Sequence, residues 1–216
     1  MPNTIIPRNV IIFGASGLTG EHLLDRVLNE PTVQRVQAPS RRPLAAHAHL
    51  QNPYGSDSQA VLAQLQGPVD TAFCCLGTPL RRGNTESTLR AIDHDLVIAC
   101  AQRARELGAR HFLVLSTLGA DPQSRVLYSR IKGEMEASLQ AQDWPQLTIA
   151  RPSLLLGERC EQRAIEQVVA PMARLLLGKW RSISVCVLAR ALWRLALEER
   201  RGVRIVESDE LRRLGR

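Results

Sequence analysis

Tyr128 and Lys132 stand four residues apart in a chain that has only two tyrosines and two lysines against 26 arginines. On a helix that spacing puts phenol and ammonium on one face. Where arginine is the default cation, a lysine marks a task for a compact point charge, such as reaching ribose hydroxyls beside a phenol. A free tyrosine titrates near pH ~10 and a neighbouring cation favours the phenolate, so Lys132 is expected to draw Tyr128 down toward acid-base work. Upstream, the apolar run His111-Phe112-Leu113-Val114-Leu115 ends in Ser116 and Thr117. Either hydroxyl would polarise a carbonyl, with Tyr128 as proton donor and Lys132 as anchor and modulator. The plain alternative is a surface tyrosine and lysine with a strand-end serine capping a helix.

A second set of residues is built for an anion. Asn9-Val10-Ile11-Ile12-Phe13 reads as a buried strand and feeds into Gly14-Ala15-Ser16-Gly17-Leu18-Thr19-Gly20, followed by the amphipathic Glu21–Leu28. Strand, glycine turn and helix come in the order of a dinucleotide fingerprint. Gly14 permits the tight turn, Gly17 the approach of backbone to pyrophosphate and Gly20 the packing of helix on strand, while the helix N-terminus offers its N–H groups. At the end of the second strand, where NAD-binding proteins usually carry an acid for the ribose 2′-OH, the chain reads Ala38-Pro39-Ser40-Arg41-Arg42. Two guanidiniums without a carboxylate suit a 2′-phosphate, which selects NADP(H).

Positioning these groups requires an alternation of strands and helices. Strands are expected near 10–14, 33–39, 70–76, 110–116 and 147–150, and helices near 18–29, 86–107 and 125–142. A third strand is expected near His49 to Tyr54, with limits blurred by Pro53 and Gly55. After Arg151-Pro152 come a helix near 161–177, a short strand near 182–185, a helix near 187–199 and a strand at 203–206. This pattern predicts one α/β domain over 1–216: a doubly wound parallel sheet of Rossmann type over 9–150, and a short substrate-side extension over 151–216.

Bulk properties exclude other classes. The net charge of +7 is concentrated from Arg151 onward, where 14 basic residues face 8 acidic ones. Several of these arginines fall at helical spacing, which reads as a solvated face. With 4% aromatics and no zinc-finger or RNA-binding signature, nucleic acid is not an expected partner. Cys74, Cys75, Cys100, Cys160 and Cys186 lack metal or disulfide spacing and read as reduced thiols. His47 and His49 lack a third ligand, so no metal is expected. The first residues hold no secretory apolar run or membrane span, from which a cytosolic location is expected.

At these motifs the chain resembles the short-chain dehydrogenase/reductase superfamily, in its atypical branch close to the Tat-interacting-protein-like NADPH-binding oxidoreductases. The markers are Gly14–Gly20, Ser40-Arg41-Arg42, Phe73-Cys74-Cys75-Leu76-Gly77-Thr78, Leu115-Ser116-Thr117-Leu118-Gly119-Ala120-Asp121, Tyr128-Ser129-Arg130-Ile131-Lys132-Gly133-Glu134 and Arg151-Pro152-Ser153. The resemblance implies that Ser16, Gly17, Leu18 and Thr19 touch phosphates, Arg41 and Arg42 the 2′-phosphate, and Leu76 and Gly77 the adenosine side. It further implies that Tyr128 and Lys132 reach the nicotinamide ribose, that Leu155 packs near the nicotinamide, and that Ser116 holds the family's serine position. The chain departs from the pattern in two places: Asp57 is a poor match for the acid that holds adenine, and Val187 replaces a usual aspartate.

Two functions follow as expectations. The first is a reductase passing hydride from NADPH to a small carbonyl through Ser116, Tyr128 and Lys132. The second is a non-catalytic NADPH-binding sensor acting through a protein partner. The short tail argues against sugar-nucleotide substrates, Thr78–Asn84 reads equally as a lid or substrate contact and as a plain surface loop, and the oligomeric state stays open between a monomer and a homodimer through helices, with Trp193 in core or interface.

Overall fold

The apolar run Asn9–Phe13 forms strand β1, with four of its five side chains buried, because both faces of this strand are covered. The computed structural model describes residues 6–78, 85–156 and 180–216. The elements after β1 are α1 (Leu18–Leu28), β2 (Arg35–Gln37), β3 (Leu50–Gln51), α2 (Ser58–Ala63) and β4 (Thr71–Cys74). Then come α3 (Glu86–Arg90), a π-helical turn (Ala91–Asp95), α4 (Leu96–Glu106), β5 (His111–Leu115), α5 (Leu127–Gln140), β6 (Gln146–Arg151) and β7 (Leu155–Leu156). The last described elements are β8 (Ile183–Ser184), α6 (Val185–Ala196), β9 (Gly202–Glu207) and α7 (Ser208–Leu214).

Seven strands form one parallel sheet in the order β3-β2-β1-β4-β5-β6-β9, the doubly wound arrangement expected. Neighbouring β1 and β4 belong to the two halves that run outward in opposite directions, so a crevice opens between them at the strands' carboxyl ends. On one face Leu23, Leu24 and Val27 of α1 pack with Leu188, Leu192 and Trp193 of α6. On the other, Val97, Cys100 and Ala104 of α4 pack with Met135 and Leu139 of α5. Trp193 is fully buried near Phe73, with ring centroids 6.4 Å apart, which makes it core and not an interface residue.

Several differences from the expected pattern have local causes. Between 44 and 69 the third strand shrinks to Leu50–Gln51 with a further bridge from Tyr54 to Ser40. Asp57 caps α2, accepting from the N–H groups of Gln59 and Ala60, which accounts for that acid without a ligand. The span expected as one helix over 86–107 is divided by the π turn. The segment expected as a substrate-side extension also contributes to the sheet itself: β9 completes it against β6 in register from Gln146↔Gly202 to Arg151↔Glu207. The helix expected near 161–177 and loop residues 79–84 lie outside the described residues.

His111, at the start of β5, is buried and shares a 2.8 Å hydrogen bond with Thr148 Oγ1. Burial pushes its pKa down from 6.5 to about 3. The unfolded chain therefore binds a proton that the fold refuses, so stability is full above pH 6.5 and falls toward pH 3. We expect His111→Gln, which cannot titrate, to flatten this part of a denaturant-derived stability curve; an unchanged acid slope would assign it to other groups.

Candidate functional site

Because every strand of the sheet is parallel, the segments following β1, β2, β4, β5 and β6 meet along one edge. At β1 the backbone turns at Gly14 with φ +76°, the left-handed region that favours glycine. A Cβ on Gly14 would lie 2.9 Å from the carbonyl carbon of Cys75, and one on Gly20 would lie 2.1 Å from the carbonyl oxygen of Gly14. These glycines let the helix start press against the strand ends. Gly17 occupies the N-cap of α1 without any side-chain cap, Leu18 begins the helix, and Thr19 and Gly20 are buried. Ser16 sits on the turn itself. A helix N-terminus without a side-chain cap, placed on a backbone cradle, fits a pyrophosphate.

Arg41 and Arg42 are exposed after β2. Asn52 fixes the segment that carries them: its Nδ2 donates to Ala38 O at 2.5 Å and Ser40 Oγ at 2.8 Å, while its Oδ1 accepts from Leu44 N. Ser40 Oγ in turn donates to Arg42 O at 2.6 Å. No carboxylate joins this turn, whose chemistry suits an added phosphate.

Tyr128, Lys132 and Glu136 occupy successive turns of α5, as the four-residue spacing requires. Gly133 allows this: a Cβ there would lie 2.3 Å from the backbone of Asp121 and Pro122, so only glycine admits the loop after β5 so close to α5. The Lys132 ammonium lies 6.0 Å from the centroid of the Tyr128 ring. It is 1% exposed and makes a 2.9 Å ion pair with Asp93, itself 0% exposed. It also donates to Leu115 O at 3.4 Å and Leu76 O at 3.5 Å, joining the ends of β4 and β5. Asp93 lies in the π turn, and its two oxygens accept from Thr78 N at 3.3 and 3.1 Å. Single π turns within helices recur at functional sites. Gly77 adjoins both charges, with a Cβ position 3.6 Å from Asp93 Oδ1 and 3.9 Å from Lys132 Nζ. Thr78 Oγ1 is buried without a hydrogen-bond partner, an orphan polar atom at this edge. Leu76 is half-buried beside it, and Leu155, on β7, packs partly buried against the core.

Two expectations need correction. Lys132 does pull the Tyr128 pKa down, but the net shift is upward: burial is the largest cause and outweighs that pull, and Asp93 adds to it. The phenol keeps its proton at neutral pH. Burial also works against the lysine's charge, yet Tyr128 and the hydrogen-bonded Asp93 carboxylate outweigh it and hold the ammonium above the ordinary lysine range. Ser116 is the other case. Its Oγ donates to Glu136 Oε1, and Glu136 is gripped by Arg151 through Nε at 3.0 Å and Nη2 at 2.5 Å. No hydrogen bond joins Ser116 to Tyr128 among the described residues. A hydroxyl whose hydrogen is so committed must exchange that bond before it can polarise a carbonyl. Asp93 and Glu136 were both missed in the sequence, because nothing local to either residue points to its distant partner.

Among the described residues no three ligands cluster for a metal, and His49 instead uses its ring on Gln34 O at 3.1 Å. Cys74 and Cys100 are buried, Cys75 half-buried and Cys186 exposed, all unpaired with one another, and burial pushes Cys74 up to about 11. Cys160 lies outside the described residues.

The chain is 33% identical to rat HTATIP2 over 197 residues, covering 86% of this chain and 79% of that protein. It therefore belongs to the atypical short-chain dehydrogenase/reductase family that includes HTATIP2. It is also 33% identical over 168 residues to the mitochondrial protein fmp52 of Emericella nidulans, covering 74% of this chain and 72% of that one. No family model matches it. Among solved structures, UDP-glucuronic acid 4-epimerase from Bacillus cereus in complex with NAD superposes with a TM-score of 0.71 at 13% identity, over 94% of this chain and 78% of that one. MoeE5 in complex with UDP-glucose and NAD gives a TM-score of 0.70 at 18% identity, over 94% and 79% of the two chains. These likenesses show the fold.

The relatives overturn the cytosolic expectation, since several fungal members carry a mitochondrial designation. The lack of an apolar run spoke only against secretion and membrane insertion; mitochondrial targeting uses amphipathic, arginine-rich sequence instead. Among the described residues no helix is long and apolar enough to cross a membrane.

The buried pair yields a stability prediction. Asp93→Ala leaves an uncompensated ammonium and should cost about 3–5 kcal/mol. Adding Lys132→Met should recover much of that loss in denaturant unfolding. A single variant as stable as the parent would show that the pair does not hold the site.

Proposed function

We propose that the protein is an NADP(H)-dependent oxidoreductase that reduces a small carbonyl or related electrophile. The observation that carries this reading is the protonated Tyr128 phenol set over the buried Lys132–Asp93 pair, on the sheet edge that also holds the glycine cradle. Gly14, Ser16, Gly17, Leu18, Thr19 and Gly20 receive the pyrophosphate, Arg41 and Arg42 the 2′-phosphate, and Leu76 and Gly77 the adenosine side. Leu155 borders the nicotinamide. When bound, the reduced nicotinamide supplies hydride. Tyr128 then releases its proton from Oη to the developing alkoxide. Lys132 stabilises the resulting phenolate and meets the ribose hydroxyls, while Ser116 turns from Glu136 to the carbonyl oxygen. A phenol held in its protonated form is the correct acid for reduction. The NAD named with the structural neighbours supports a nicotinamide dinucleotide, and the choice of NADP(H) rests on Arg41 and Arg42.

A second reading is favoured by the closed hydrogen bonding of Ser116 and Lys132: a cofactor-binding sensor without turnover, acting through a protein partner.

Titration with NADPH and NADH tests the first step. NADPH should bind at least about tenfold more tightly, a gap of ~1.4 kcal/mol, and the double variant Arg41→Ala/Arg42→Ala should erase the difference. Equal affinities in the parent would remove the NADP(H) assignment. Once a carbonyl substrate is found by screening, Tyr128→Phe should keep cofactor affinity and lose turnover by about a hundredfold or more. Full activity in that variant would refute the mechanism, and NADPH binding without turnover of any carbonyl would favour the sensor.

A further inference from the structure

Where α1 and α6 pack together on one face of the sheet, their opening turns bring a thiol and an imidazole together from positions 164 residues apart. Cys186 Sγ lies 3.6 Å from His22 Nδ1 and 3.8 Å from Nε2, so a small side-chain rotation brings either nitrogen to the thiol proton. The proposed reduction uses neither residue.

Three features of position make this thiol a nucleophile. It is exposed, with a half-buried His22 beside it. It is the second residue of α6, whose N-cap Ser184 makes no side-chain hydrogen bond, so open N–H groups and the positive end of the helix dipole favour a developing thiolate. Its neighbour is a base able to take the proton, the arrangement that activates a cysteine nucleophile. The other described cysteines are shut out. Cys74 and Cys100 are buried and Cys75 is half-buried, and burial pushes all three thiols up, away from the nucleophilic form.

We propose that Cys186 and His22 form a thiol-modification site, at which the thiol exchanges with low-molecular-weight disulfides while the imidazole takes its proton. His22 accepts the proton, and Sγ attacks one sulfur of the disulfide. A new S–S bond forms as the old one breaks, and the imidazolium protonates the departing thiolate. Cys186 is oxidised as the disulfide is reduced to one free thiol and one half bound to the protein, so the disulfide itself is the only oxidant required.

The other charged groups on the elements packed here are Glu21, Asp25 and Arg26 of α1, Arg190 of α6, and Arg212, Arg213 and Arg216 at the end of α7, which meets α6 where Gly215 lies against Val187. Carboxylates and guanidiniums keep their charge between about pH 6 and about pH 8, so of these side chains only the imidazole is of a type that titrates there.

The test is the rate at which the folded protein releases coloured thiolate from dithiobis(nitrobenzoate), in high salt to screen the arginines. Cys160 lies outside the described residues, so Cys160→Ser serves as the common background. A single fast phase is expected, and Cys186→Ser should remove it. From about pH 8 to about pH 6 an unassisted thiol slows by close to a hundredfold, following its thiolate fraction. Cys186 should slow by no more than about tenfold, and His22→Gln and His22→Asn should both restore the steep fall. Glutathione disulfide should leave one adduct, at Cys186, which excess thiol removes. A Cys186 that reacts no faster than the buried thiols, a pH dependence unchanged by either His22 variant, or an adduct confined to another cysteine would each overturn the proposal.

Discussion

The ion pair between Lys132 and Asp93 is the contact on which the rest of the site depends. Neither charge is accessible to water, and neither can be buried alone without a penalty of several kcal/mol. Its ammonium is also tied to the carbonyl of Leu76 just beyond β4 and to the last carbonyl of β5, and its carboxylate to the backbone of Thr78. One pair thus gathers α5, the π turn and two strand ends around a point directly beneath Tyr128. It also bears on the titration of that tyrosine, in which burial is the largest effect. Burial raises the phenol, Lys132 pulls it down, and Asp93 offsets part of that pull.

A second buried charge lies one helical turn further along α5. Glu136 receives Ser116 and the fork of Arg151, so the ends of β5 and β6 are held by the same helix face that presents Tyr128. The glycine turn meets this assembly through Cys75 and Leu76, which lie against Gly14 on one side and Lys132 on the other. The glycine turn and Tyr128 therefore sit on one connected edge, which is what the proposed function requires if binding and proton transfer are to act on a single bound molecule.

What could be read from the sequence was what is local. The strand–glycine–helix order over Asn9–Leu28 and the four-residue spacing of Tyr128 and Lys132 fix their own geometry, and both stand in the structure as written in the chain. The partners Asp93 and Glu136 could not be read this way, since each meets its cation only after the sheet is assembled. The direction of the Tyr128 shift was missed chiefly because the burial of its phenol is likewise set only by the assembled fold, with Asp93 adding to it. The short β3 and the Asp57 cap were hidden for a different reason: Pro53 and Gly55 interrupt any periodicity, and an aspartate has the same appearance in a cap and in a ligand site. Cellular location lay outside the reach of apolar periodicity altogether.

The most direct test of this account needs no substrate. In a Tyr54→Phe background Tyr128 is the only tyrosine, and its ionisation can be followed by ultraviolet difference titration in the folded protein. Tyr128 should titrate above the ordinary tyrosine value of 10.0, and Asp93→Asn should move it down by freeing Lys132 to act on the phenol. A Tyr128 that titrates at or below the ordinary value, or that does not respond to Asp93→Asn, would contradict the claim that burial, reinforced by Asp93, holds the phenol above its ordinary range against the pull of Lys132.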